Sequence, residues 1–315
     1  MEFMTARHGR PDPSPDLEAT PGTRLVSQVL QWYAANARDL PWRAPGIDGW
    51  SVLVSEVMLQ QTPVARVRPV YEAWMTRWPT PDALAADSPG EAVAAWGRLG
   101  YPRRALRLHE AAVAITERHD GVVPADYEAL RALPGIGDYT AAAVASFAYG
   151  RRHVVLDTNV RRVLARTVDG RELPGTSITA AERARATALL PEDPATAARW
   201  AVASMELGAL VCTARSPRCE LCPVVANCAW HAAGRPADDG PPRRVQTYAG
   251  TDRQVRGRLL AVLRDAFPDA VPADVLAACW DRAEQRERAF NGLVADGLIE
   301  AAGDEMFRLP GVATP

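Results

Sequence analysis

Cys212, Cys219, Cys222 and Cys228 follow the spacing C-x6-C-x2-C-x5-C within 17 residues, with Pro223 directly after the third. This run constrains the fold more than any other feature, because four thiols in so short a segment belong to a loop that wraps one centre. Free cysteines seldom concentrate this way unless they hold a metal or cluster. The set suits either a 4Fe-4S cluster or a tetrahedral zinc. Its unequal spacing departs from the paired C-x2-C knuckles of most structural zinc sites and favours iron-sulfur. A disulfide framework is disfavoured, since the start of the chain has no basic-then-apolar signal sequence. Cys279 stands alone and reads as a small core hydrophobe.

The rest of the chain reads as all-α. Apolar residues recur at helical spacing from Leu25 to Tyr33, Val52 to Leu59, Ala92 to Leu99, Leu106 to Ile115, Ala141 to Phe147, Val160 to Leu164 and Trp200 to Leu210. Short breakers such as Trp78-Pro79-Thr80-Pro81 and Gly121-Val122-Val123-Pro124 separate them. Residues 1–23 are Pro-rich and expected to form a disordered tail, and 234–251 a linker. Residues 252–315 are expected to form a small module of helices ending in short strands, winged-helix-like in pattern. No apolar run approaches the ~20 residues that span a bilayer, so a cytoplasmic protein is expected, taken as a monomer. The formal net charge is −2, and every one of the 36 basic residues is arginine. That balance weighs against a nucleic-acid partner only if the charge is evenly spread.

Leu133-Pro134-Gly135-Ile136-Gly137-Asp138-Tyr139-Thr140 joins two apolar helical patterns. Its glycines let backbone N–H groups approach a phosphate at a helix N-terminus, although a bare Gly-x-Gly also serves as an ordinary turn. Asp157 follows an apolar run and precedes an amphipathic helix, a position that suits an N-cap, a cleft carboxylate, or both. Glu56 lies in the otherwise apolar stretch Val52 to Leu59. A glutamate there either has a partner or makes use of a raised pKa.

Ser55-Glu56-Val57-Met58-Leu59-Gln60-Gln61-Thr62, Gly100-Tyr101, the hairpin, Asp157-x-Asn159-Val160-x-Arg162-Val163 and the four cysteines together resemble the MutY adenine DNA glycosylases, in order from about Leu25 to His231. The resemblance implies a helix-hairpin-helix six-helix barrel (51–150) and a helical iron-sulfur cluster domain (24–50 with 151–233), with the active site between them and a 4Fe-4S cofactor. It implies a monofunctional glycosylase, acting on double-stranded DNA that carries adenine opposite 8-oxoguanine or guanine. Under it Glu56 is the general acid for adenine N7, Asp157 the carboxylate facing the sugar oxocarbenium, and Tyr139 and Asn159 their active-site companions. Gln61, Thr62 and Tyr101 would meet the opposite base, with Tyr101 as the wedge. Gly135 and Gly137 would meet phosphate. Arg103 and Arg104, with Arg107, form a basic patch beside Tyr101 and are expected at the DNA backbone, while Arg215 and Arg218 either touch phosphate or are solvated surface. The sister endonuclease III family carries a lysine where this chain has Tyr139, so a lysine-based lyase is excluded.

Three departures from the family stand out. Pro102 follows Tyr101 where a second tyrosine is common, and Thr158 replaces a common glycine. No histidine follows His231, so the Phe-Ser-His loop of the usual C-terminal lesion reader is absent from these residues. Other base specificities on the same scaffold, pyrimidine or uracil, and a non-catalytic DNA binder are the alternative readings.

Overall fold

A computed structural model of the chain describes residues 20–238, 240 and 248–311. It divides into two compact units. One comprises the described residues up to Ala37 with Thr158–Pro191 and Ala203–Ala237; the other comprises Arg38–Asp157, Glu192–Val202 and the described residues from Asp238 onward. Most of the expected tail lies outside the described residues, but its end does not. The first helix, Pro21–Asn36, begins inside it, with Thr20 accepting a hydrogen bond from the Thr23 N–H and Pro21 at the first helical position. Proline is suited to that position, where its missing N–H has no partner to lose.

In the larger unit the Gly49–Leu59 helix is buried at every residue from Gly49 to Met58, so it is apolar all round rather than amphipathic. Asp48 caps it, accepting from the Ser51 N–H at 2.7 Å. The Asp138–Tyr149 helix packs against it, and its small residues Ala141, Ala142, Ala143 and Ala145 are buried. Around this pair Trp74, Trp78 and Trp96 form an edge-to-face cluster, with ring centroids 4.7 and 5.5 Å apart, and the Trp50 indole N–H donates to the Trp78 carbonyl at 3.0 Å. Leu40, Trp42 and Trp50 belong to this core, with Trp42 edge-on to Tyr71, so the expected cluster-domain segment 24–50 is corrected: only its part up to Ala37 lies outside this unit. Residues 151–157, also expected in the cluster domain, fall in the larger unit as well.

The C-terminal residues require a second correction. The expected linker partly lies outside the described residues, at 239 and 241–247. Beyond it the order is helix Asp252–Ala266, strand Val271–Pro272, helices Ala273–Ala277 and Ala283–Ala295, then strands Glu300–Ala301 and Met306–Arg308. The last strand lies between the other two and pairs antiparallel with both, placing Phe307 opposite Val271 and Ala301, which is a winged-helix arrangement. This element is not a separate module. Val255, Leu259, Leu260, Leu263, Leu293 and Leu309 share one continuous core with the barrel residues, and the Gly90 N–H donates to the Pro310 carbonyl at 2.8 Å.

The smaller unit contains the helices Pro21–Asn36, Thr158–Thr167 and Ala180–Ala188 and the cysteine loop. Among the described residues no helix is long and apolar enough to cross a membrane.

Candidate active site

Glu56 sits on the buried Gly49–Leu59 helix and is only 6% exposed. Its Oε2 accepts a hydrogen bond from the Tyr139 hydroxyl at 2.8 Å. Burial pushes its pKa up to about 7; the Tyr139 hydrogen bond pulls the other way, the Asp157 charge raises it further and Arg43 lowers it. The carboxyl is therefore poised between its two protonation states at neutral pH. Tyr139 enters this site because Gly137 starts the Asp138–Tyr149 helix one residue before Asp138, which puts Tyr139 in the first turn. Burial pushes its phenol well above the usual value, and the Glu56 and Asp157 charges add to this. Glu56, Tyr139, Asp157 and Arg43, drawn from four separate segments of the larger unit, thus share one electrostatic environment.

The hairpin has two glycines with different reasons to be glycine. Gly135 has φ +74°, and a Cβ there would lie 2.7 Å from the Arg107 Cβ, so the fold itself requires it. At Gly137 the backbone is ordinary, φ −94°, and a Cβ would meet no protein atom within 4 Å. Nothing inside the protein asks for a glycine at 137, which suits a surface that something outside the protein approaches closely.

Two loops meet at the C-terminal end of the Gly49–Leu59 helix. Gln61 and Tyr101 both hold positive φ, 54° and 49°, uncommon for residues with side chains. Arg104 joins the two loops. Its guanidinium donates to the carbonyls of Val57 at 2.7 Å, Met58 at 3.1 Å, Gln60 at 2.6 Å and Gly100 at 3.0 Å, and to Thr62 Oγ1 at 3.1 Å. The side chain thereby satisfies carbonyls at the C-terminus of the Gly49–Leu59 helix with a cation. Burial lowers its pKa to about 10, still cationic at neutral pH. Arg104 and Thr62, expected to meet DNA, are instead buried and bonded to each other. They shape the loops, leaving Gln61 and Tyr101 exposed. Arg103 remains about half exposed and pairs with Asp296 at 3.1 Å.

In the smaller unit the four cysteines line one cavity with Val163, Arg166 and Trp230. Burial pushes the Cys222 thiol up to about 11, and the charges of Cys212, Cys228 and Cys219 all raise it, so the four sulfurs converge. A central cation is what permits such a set to ionise together. Four thiols lining one cavity are the donor set of a 4Fe-4S cluster or of a tetrahedral zinc.

Arg166, 1% exposed, holds this loop. It donates to Cys212 Sγ at 3.4 Å and to the carbonyls of Thr213 at 2.7 Å and Ala214 at 3.2 Å, with its guanidinium 4.6 Å from the Trp230 ring centroid. Arg162 donates to Asn159 Oδ1 at 2.8 Å and to the Cys212 carbonyl at 2.7 Å, fastening the asparagine to the cysteine loop. The sequence marks Arg162 only as part of a motif and gives Arg166 no role, because their partners in the cysteine loop lie about 50 residues away. Arg215 is exposed, whereas Arg218, also exposed, bonds to the Leu210 carbonyl.

Residues 54–187 match the HhH-GPD superfamily of base excision DNA repair proteins, and residues 212–228 match the iron-sulfur binding domain of endonuclease III. The chain is 53% identical over 306 residues to the adenine DNA glycosylase of Mycobacterium tuberculosis, covering 96% of this chain and 98% of that protein. It is 53% identical over 285 residues to the enzyme of the same name from Mycolicibacterium smegmatis, covering 90% and 95%. Among solved structures a thermostable thymine-DNA glycosylase superposes with a TM-score of 0.60 at 26% identity, covering 68% of this chain and 97% of that one. The buried glutamate, the hairpin and the four-cysteine loop thus occur together in a chain that belongs to the MutY family of adenine DNA glycosylases and carries that family's 4Fe-4S cofactor site.

Proposed function

We propose that this chain hydrolyses the N-glycosidic bond of adenine mispaired with 8-oxoguanine or guanine in duplex DNA, leaving an intact abasic site. The observation that carries the reading is Glu56, buried beside Tyr139 and under the charge of Asp157, with a pKa of about 7. Adenine leaves poorly as an anion. A neutral carboxyl that gives its proton to N7 lets the base depart without a full negative charge. As the bond breaks, positive charge grows on the deoxyribose. An ionised Asp157 would stabilise that charge, and water would then add to the sugar. Burial of Glu56 keeps its proton available at neutral pH, and the Tyr139 hydroxyl fixes the carboxyl's orientation through its hydrogen bond to Oε2.

Gly135 and Gly137 would admit a phosphate to the hairpin, Gln61 and Tyr101 would face the opposite base, and Arg103 and Arg215 would meet the backbone. The Cys212, Cys219, Cys222 and Cys228 thiolates would hold the cluster, whose contribution is to order the loop that bears Arg215. Because the chain has no lysine, the Schiff base that leads to strand cleavage has no lysine amine to form on.

The test is a panel of duplexes carrying A:8-oxoguanine, A:G, T:G and U:G. Free adenine released from the first two, with the strand left intact, is the expected result. Release confined to T:G and U:G would replace this reading with the pyrimidine alternative, and binding without release from any duplex would leave only a DNA-binding role.

A further inference from the structure

The residues after 250 play no part in the chemistry above, yet they carry a contact that it leaves unexplained. The Asp252–Ala266 helix is fastened to the barrel: Val255, Leu259 and Leu263 lie in the shared core, and Arg264 Nε donates to the Val93 carbonyl at 3.0 Å. Asp296 adds to this attachment, pairing with Arg103 at 3.1 Å and with Arg256. The start of the helix is thus placed by packing within one compact unit. From its first turn Arg253 reaches the end of Tyr101, donating from Nη2 to the tyrosine Oη at 2.7 Å, with the guanidinium carbon 5.0 Å from the ring centroid.

Tyr101 is 42% exposed and carried on a backbone at positive φ. The Arg104 guanidinium lies 5.6 Å from the centroid of this ring, and the charge-assisted hydrogen bond from Arg253 fixes its far, hydroxyl end. Arg253 is itself exposed, and a guanidinium has five N–H donors and no acceptor. A base edge rich in acceptors, as in guanine and 8-oxoguanine, matches those donors, whereas cytosine presents an amino donor in the major groove.

We propose that Arg253 determines opposite-base preference in this chain: it holds Tyr101 in one orientation and offers its remaining donors to the purine left unpaired when adenine leaves the stack. This rests on the reading of Tyr101 as the residue that enters the duplex. The C-terminal helices and strands thereby become part of the lesion reader rather than an appendage to it.

The experiment uses the full chain as wild type, Arg253→Ala, Arg253→Lys and Tyr101→Phe, with Arg253→Ala also placed in the Tyr101→Phe background. Single-turnover excision and duplex affinity are measured with adenine opposite 8-oxoguanine, guanine and cytosine. Arg253→Ala should reduce the preference for 8-oxoguanine over cytosine about tenfold while the thermal unfolding midpoint stays unchanged, since Arg253 is exposed. Arg253→Lys should recover part of the preference, because a point charge lacks the planar fork. The effect of Arg253→Ala should shrink in the Tyr101→Phe background, where the shared hydrogen bond is already gone. Equal weakening on all three duplexes, or an unaltered preference, would overturn the inference alone. A wild type that releases no adenine from any duplex would overturn the functional reading and this inference together.

Discussion

Glu56→Gln separates the thermodynamic cost of the buried acid from its chemical use. Folding moves this carboxyl from 4.5 to about 7, chiefly by burial. Each unit is worth about 1.4 kcal/mol, so ionising Glu56 in the folded chain costs about 3 kcal/mol more than ionising it in the unfolded one. The sign follows from proton counts. Between the two values the folded state keeps a proton that the unfolded state gives up, so rising pH drains stability through this window and stops draining it above about 7. The amide of the variant has no proton to lose, and its oxygen can still accept from the Tyr139 hydroxyl. Other titrating groups are common to both proteins and cancel in the comparison. The thermal midpoint of Glu56→Gln relative to wild type should therefore rise by roughly 4 °C between about pH 5 and about pH 8.5, while adenine excision is lost. A midpoint difference that is the same at both pH values would show that Glu56 ionises as an ordinary carboxylate and would refute the burial argument.

The Tyr139 hydrogen bond favours the ionised form of Glu56, so Tyr139→Phe should move the alkaline limb of the single-turnover pH profile to higher pH; a limb displaced to lower pH would contradict the assigned direction. Gly135→Ala forces a side chain onto a φ of +74° and against Arg107, and chemical unfolding should show a loss of about 1–3 kcal/mol. Gly137→Ala meets no protein atom, so it should lose much less stability while weakening duplex affinity about tenfold in a titration; if the two alanines behaved alike, Gly137 would have no role beyond the fold. Arg104→Gln leaves helix-end carbonyls unpaired and should cost about 1–3 kcal/mol, whereas Arg103→Gln should leave stability within ~1 kcal/mol, as the unfolding of both would show.

The legible parts of this chain are those where one residue type in one pattern admits few explanations. Four cysteines within one short run, a glutamate inside an apolar helix and a Gly-x-Gly between helical patterns all carry their chemistry locally. The helix start at Thr20-Pro21 was also written locally, as a capping hydroxyl followed by proline at the first position, but the surrounding prolines disguised it as tail. Arginine roles were far less legible. Arg103 and Arg104 are neighbours in a basic run, yet one reaches a surface carboxylate and the other is buried under four carbonyls and a hydroxyl. That choice is made by tertiary packing, to which charge and spacing are blind. The same holds for residues 252–311, where a composition shift suggested a separate module. Their leucines had no visible destination until the fold placed them in the barrel's core.

The claim beneath the whole account is that Glu56 delivers its proton to adenine N7 before the base departs. Single-turnover base release from a duplex with adenine opposite 8-oxoguanine, set beside the same duplex carrying 7-deazaadenine, tests it most directly. The second base stacks and pairs like adenine but has a carbon where N7 would accept the proton. The account predicts comparable binding of both duplexes and release of adenine only. Release of 7-deazaadenine at a similar rate would mean that the bond breaks without that proton transfer, and the role assigned to Glu56 would be wrong.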